Sequence, residues 1–339
     1  MTDSRNLQID GSRLWDSLME MAKIGATEKG GCCRLALTDL DKEGRDLFVS
    51  WCREAGCDIK VDKMGNIFAR RPGKNNDLDP VMTGSHLDTQ PTGGRFDGVY
   101  GVLAGLEVVR TLNDLNLETE RPVEVAVWTN EEGSRFAPAM VASGVFAGAF
   151  DLEYGLSRAD ADGKTMGEEL ERIGYAGTEE VGGRDIHAFF ETHIEQGPIL
   201  EADEKTIGVV TDAQGQRWYE LTLTGVESHA GPTPMSRRRD PMMALAAFLP
   251  RLYRVAEDHA PEGRITFGFI QASPGSSNTV PGSLELTVDI RHPQLDHYQA
   301  MLRAYEQTVT AACEALGLPV ALEKFWSADG VTFDTDCVN

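Results

Sequence analysis

Four clusters of metal-ligating side chains stand at the ends of apolar runs in this chain. The run from Pro80 closes on Gly84-Ser85-His86-Leu87-Asp88. His86 therefore sits where a buried strand meets solvent, and Asp88 can face the same side and hold the imidazole through its other nitrogen. Eleven residues later comes Asp97, within Gly93-Gly94-Arg95-Phe96-Asp97-Gly98. Its glycines let backbone approach closely and a carboxylate be aimed without steric conflict. Thr129-Asn130-Glu131-Glu132-Gly133 places two carboxylates side by side, and their repulsion favours a proton or a cation on one of them. One can then ligate metal while its neighbour acts as general base toward water. His193, before Ile194-Glu195-Gln196-Gly197-Pro198, ends the run Ala188-Phe189-Phe190-Glu191-Thr192. Taken singly, each cluster has an ordinary explanation: a satisfied loop histidine, a solvated turn aspartate, an exposed acidic loop. Four such accidents in one chain are a poor account. Histidine, aspartate, glutamate and histidine at strand ends form a ligand set for zinc or a similar ion.

The flanking patterns predict the elements that position these residues. Ser12 can cap a helix with Leu14, Leu18, Met21 and Ala22 on one face, and Thr38 can open a second. Residues 66–70, 80–86 and 123–128 read as strands and 99–112 as an apolar helix, an alternation expected of a sheet covered by helices. After about residue 208 the order changes to strand 218–224, helix 240–258, strands 264–271 and 283–291, helix 294–317 and strand 319–325. That is the β-α-β-β-α-β order of a ferredoxin-like sandwich. The expected organisation is a catalytic α/β domain over 1–209, a second domain over 210–327, and a stretch, 328–339, that begins a return to the first.

The bulk composition narrows the function. The 339 residues, 41% hydrophobic, suffice for one large domain or two ordinary ones. A net charge of −22 disfavours nucleic acid and anionic lipid as partners. No apolar run approaches the roughly 18 residues of a spanning helix, and the first fifteen residues lack a signal-peptide core. The six cysteines form no CxxC pair and read as reduced thiols of a cytoplasmic protein.

The succession GSHLDT, GGRFDG, NEEG, HIEQGP, SHAGPTP and NTVPG followed by DIR resembles the M20-type peptidases and amidohydrolases over nearly the whole chain. Within them it is most similar to the group of N-carbamoyl-L-amino-acid hydrolases, β-ureidopropionases and allantoate amidohydrolases. The resemblance implies a two-metal aminopeptidase-like α/β domain carrying an inserted ferredoxin-like dimerisation and lid domain. It implies two divalent metals, zinc or manganese, cobalt or nickel. Asp97 would bridge them, His86 and His193 would hold one, and Glu132 the other. Glu131 would be the general base and Asp88 would orient His86. His229 would reach across a homodimer interface to stabilise the oxyanion. Gln196, Asn278 and Arg291 would bind substrate, with Arg291 gripping its carboxylate, a role that suits a bidentate guanidinium. The resemblance also implies a cis peptide at Asp97–Gly98. His187, His259, His292 and His297 match no motif.

Family chains return to the catalytic domain and end near a further metal-binding histidine, whereas no histidine follows His297 here. The expectation is a chain lacking its C-terminal part. Two main readings stand: hydrolysis of an N-carbamoyl amino acid, with allantoate and β-ureidopropionate as close alternatives, and a dimerising fragment without catalysis; a general dipeptidase or deacylase of the same superfamily is weaker, because HIEQG belongs to the carbamoylase-like group. Metal content separates them, since about two ions per chain fit the enzyme and none or one fits the fragment.

Overall fold

The computed structural model describes residues 7–339. In chain order its elements are α1 Gly11–Met21, α2 Asp39–Glu54, β1 Asp58–Val61, β2 Ile67–Arg71, β3 Val81–His86, α3 Val99–Asp114, β4 Val123–Trp128, α4 Val141–Phe146, α5 Leu152–Leu156, α6 Met166–Ile173, β5 Ala188–Phe190 and α7 Ile199–Ala202. There follow β6 Asp212–Ala213, β7 Gly215–Thr224, β8 Ser228–His229, α8 Pro241–Asp258, β9 Arg264–Ser273, β10 Thr279–Val280, β11 Ser283–His292, α9 Leu295–Ala315, β12 Val320–Ala328, β13 Val331–Thr332 and α10 Thr335–Val338. The chain divides into two compact units, Met1–Thr206 and Ile207–Asn339. No described helix is long and apolar enough to cross a membrane.

The first unit is built on a five-stranded sheet, β1-β2-β4-β3-β5. Alternate residues of its strands serve opposite faces. Ile67, Ala69, Val123, Val125 and Val127 join the main core with α1, α2 and α3, while Phe68, Met82 and Ala126 pack on the other side with Trp128 and Phe146. β1, β2 and β4 are antiparallel neighbours, but β3 is parallel to both β4 and β5. The pairing His86↔Trp128 puts the carboxyl ends of β3 and β4 side by side, and β5 runs in the same sense. Loops that leave such parallel ends together are where open α/β sheets bind ligands. The expected strand before His193 is shorter than its apolar run, only Ala188–Phe190, and it lies at the sheet edge with Phe189 and Phe190 exposed. The cap of α1 is Asp10 rather than Ser12. The Asp10 carboxylate accepts from the amides of Ser12 and Arg13, the preferred geometry for an aspartate one residue ahead of the first helical residue.

The second unit has an antiparallel sheet in the order β12-β7-β11-β9. With α8 and α9 between its strands, this is the βαββαβ order of a ferredoxin-like sandwich. Even-numbered residues of β11 (Leu284, Leu286, Val288, Ile290) enter the core with Phe248, Tyr298 and Tyr305 of the helices. Odd-numbered ones, including Asp289 and Arg291, lie on the opposite face. Residues 328–339, expected to leave toward the first unit, instead group with the second. Val331 and Thr332 pair with Ala213 and Asp212, because the extended run beyond β12 finds a free partner in β6.

Candidate metal centre

β3 delivers His86, buried at 3% exposure, and its Nδ1 donates to the backbone carbonyl of Asp88 at 2.8 Å. That bond fixes the tautomer, so Nε2 points outward with its lone pair free. The expected partner, the Asp88 carboxylate, stands 3.9 Å from the ring nitrogen. It does different work. Its two oxygens accept the amides of Glu131 and Glu132, each at 3.2 Å. Asp88 therefore positions His86 by its carbonyl and the paired glutamates by its carboxylate.

The glutamates follow a forced turn. Asn130 adopts φ 55°, a left-handed conformation that asparagine tolerates better than most residues, and donates its buried amide to the Phe136 carbonyl at 2.8 Å. Behind it lies a buried network. Arg45 bonds Asp41 (2.8 Å), the Gly65 carbonyl (2.8 Å) and Thr129 Oγ1 (3.2 Å), while Asn66 Oδ1 accepts from the Thr129 amide at 3.0 Å. None of these supports stands out in the sequence. Asp41 and Arg45, four apart on a helix, look there like an ordinary solvated ion pair, yet both are fully buried.

Asp97 is aimed by Gly98. The Asp97–Gly98 peptide is trans, contrary to expectation; the three cis bonds of the described residues all precede proline. The turn into α3 is made by Gly98 itself, at φ 67° and ψ −51°. A Cβ there would also lie 2.5 Å from the His86 ring, so both backbone angle and space require glycine.

Together these supports bring His86, Asp97, Glu131 and His193 into one cluster. Asp97 Oδ1 lies 3.2 Å from His193 Nε2 and 4.0 Å from His86 Nε2, and Glu131 Oε2 lies 3.4 Å from His86 Nε2. His193 Nδ1 donates to the Ile194 carbonyl at 2.7 Å, so it too turns Nε2 inward. Two imidazole lone pairs thus face carboxylate oxygens, and acceptors facing acceptors call for a shared proton or a cation. The electrostatics of the cluster follow from these contacts. The Asp97 bond pushes the His193 imidazolium up to about 9, and the same bond holds the Asp97 carboxyl below its ordinary value. Burial raises Glu131 to about 7 and Asp88 to about 6. Burial also disfavours the charged form of His86, but the carboxylates of Asp88 and Glu131 outweigh it and the net direction is upward. Nitrogen and oxygen donors so arranged fit a divalent ion, with His86, Asp97 and His193 as the three that converge. Glu132 stands outside that trio, its carboxylate held by the Gln90 amide at 3.0 Å. Gln196, expected on substrate, donates to Asp97 Oδ2 at 2.6 Å.

In the second unit, the β8–β10 ribbon pairs His229 with Thr279 and brings Asn278 alongside. The amide of Gly231 donates to His229 Nδ1 at 3.1 Å, which leaves the proton on Nε2. The ring is exposed, with Nε2 as its remaining nitrogen. Asn278 Oδ1 accepts from the Ser276 hydroxyl at 2.8 Å, which fixes the amide orientation. Arg291 is gripped by Asp289 of its own strand, at 2.7–3.0 Å.

The chain is 54% identical to an N-carbamoyl-L-amino-acid amidohydrolase of Rhizobium meliloti, over 98% of this chain and 80% of that protein. It is 32% identical to an allantoate amidohydrolase of Bacillus subtilis, over 98% and 81%. A solved hydantoinase/carbamoylase family amidase from Burkholderia multivorans superposes with a TM-score of 0.88 at 63% identity, covering 98% of this chain and 81% of that one. Residues 82–335, which hold every ligand of the cluster, match a single family, and the chain belongs to it: peptidase family M20/M25/M40.

Proposed function

We propose that the chain hydrolyses the carbamoyl C–N bond of an N-carbamoyl-L-amino acid. One water is consumed, and the products are the amino acid, carbon dioxide and ammonia. The observation that carries this reading is the convergence of His86, Asp97 and His193 beside Glu131, in a chain 54% identical to a carbamoylase. In this reading His86, Asp97 and His193 would hold one divalent ion, and Glu132 with Asp97 would serve a second. Bound there, such ions acidify water and polarise the ureido carbonyl. Glu131 takes the proton of the attacking water and passes it to the leaving nitrogen. A carboxyl whose surroundings raise it to about 7 suits both halves of that transfer. His229 donates Nε2–H to the oxyanion, Asn278 and Gln196 orient the ureido group, and Arg291 reads the carboxylate once Asp289 yields it.

We further infer a homodimer through residues 210–327. β9 is an edge strand carrying exposed Phe269 and Ile270, a feature that favours pairing with a second copy. All six cysteines are free thiols, as is ordinary for a cytoplasmic enzyme. The allantoate relatives support a second substrate, since allantoate carries the same ureido group. The test is ammonia release by chelator-treated protein reloaded in turn with zinc, manganese, cobalt and nickel. N-carbamoyl amino acids, allantoate and β-ureidopropionate are compared. The proposal expects the highest kcat/KM on N-carbamoyl-L-amino acids. Preference for allantoate would replace it, and no turnover with any metal would refute it.

A further inference from the structure

Three histidines outside the proposed reaction converge within the second unit. His259 follows the last residue of α8, His292 ends β11 and His297 lies in the first turn of α9. The His292 and His297 rings stack at 9° with centroids 4.9 Å apart, and His259 stands edge-on to both at 5.9 and 5.0 Å. The Nδ1 atoms of His259 and His297 are 2.8 Å apart, and one nitrogen from each of the three rings lies within 4.8 Å of the other two. We propose that this cluster is a separate transition-metal site, taking a divalent ion such as zinc through three imidazole nitrogens.

The geometry can exchange a hydrogen bond for an ion. Two ring nitrogens at 2.8 Å need a proton between them, so one is N–H and the other a lone pair. An ion can take that proton's place when the proton moves to Nε2 of its own ring. Nitrogens each about 2.0–2.1 Å from one ion stand about 2.9 Å apart at a right angle and about 3.4 Å apart at the tetrahedral angle. The His259–His297 pair is therefore already near chelating distance, and His292 has to swing in. Its Nδ1 accepts the Gln294 amide at 3.0 Å. That part-buried bond comes from the backbone N–H of Gln294, and it has to be given up if His292 changes tautomer. His259 sits at the carboxyl end of α8, where the helix dipole favours a cation. An ion there would tie the end of α8 to the start of α9 and the end of β11.

This site does not depend on the proposed reaction, and the test keeps them apart. In full-length protein carrying Asp97→Asn and His193→Ala, equilibrium dialysis against zinc should retain one ion per chain. Adding His297→Ala, or separately His259→Gln, should weaken that binding at least ~100-fold. This exceeds the roughly 10–100-fold that loss of an outer partner costs. The same background loaded with cobalt(II) should show visible d–d absorption that His297→Ala abolishes while the far-ultraviolet dichroism is unchanged. No retained zinc in the Asp97→Asn/His193→Ala chain would overturn the proposal. So would zinc or cobalt binding indifferent to both histidine substitutions.

Discussion

Glu131 carries the sharpest consequences at the level of single residues. Glu131→Gln keeps the shape and the Asp88 bond to its backbone but cannot take a proton. It should bind metal as before and lose ~10²-fold or more in kcat, measured at saturating substrate. Stability of the metal-free protein gives a second readout. A carboxyl raised from 4.5 to about 7 binds more protons folded than unfolded, so its contribution falls as pH climbs through that window. An imidazole raised from about 6.5 to about 9 stabilises below the lower value and loses that contribution as pH approaches the upper one. Metal-free protein should therefore melt at progressively lower temperature from pH about 5 to about 9. Glu131→Gln should flatten the lower part of that decline and His193→Asn the upper part. Metal-loaded protein should show the opposite slope, because ligands must shed protons to bind. Thermal melts with and without chelator read both slopes. Equal slopes would show that the cluster does not hold the ion.

At the level of elements, the site depends on three parallel strand ends and the turn at Asn130. Asn130→Ala removes the donor to the Phe136 carbonyl and leaves a β-carbon residue in a left-handed conformation. A loss of about 2–3 kcal/mol is expected by denaturant titration, and Asn130→Gly should lose about 1 kcal/mol less because glycine accepts that angle. Both should lower kcat, since the turn carries Glu131. Glycine less stable than alanine would contradict this account of the turn. The same elements show what the sequence discloses. His86, Glu131 and His193 stand out in the sequence because polar side chains at the ends of apolar runs break a pattern; Asp97 stands out only by its flanking glycines, and it lies in the turn before α3 rather than at the expected strand end. The sandwich order of the second unit was legible because alternation and helical periodicity switch cleanly there. Arg45, Asp41 and Asn66 were not, because their meaning comes from burial, and an i,i+4 ion pair reads the same whether wet or dry. The trans peptide before Gly98 was missed for another reason. An implied cis bond and a left-handed glycine both turn the chain sharply, and sequence does not distinguish them.

For the whole molecule, the proposed dimer makes a prediction about mixtures. His229→Ala and Glu131→Gln proteins are each expected to be inactive alone. If His229 serves its partner's centre, mixing full-length forms should restore part of the activity, and one intact centre per mixed dimer limits the recovery. No recovery despite subunit exchange, followed by native mass spectrometry of tagged chains, would place His229 in its own chain's reaction or in none. Association should also tighten with salt, since each subunit carries a net charge of −22. The pairing of β6 with β13 bears on this too. Asp212–Ala213 opens the second unit and Val331–Thr332 lies beyond its last long strand, yet the two are partners in one ladder. A unit whose entry and exit stand together asks little of its host, because bridging its ends costs the entropy of a short hairpin rather than of a long loop. Such a unit is expected to behave as an autonomous module. Expressed by itself, the fragment 207–339 should unfold in a single cooperative transition, and a mixture of partly folded forms on urea gradients would show that it borrows its order from the remainder of the chain.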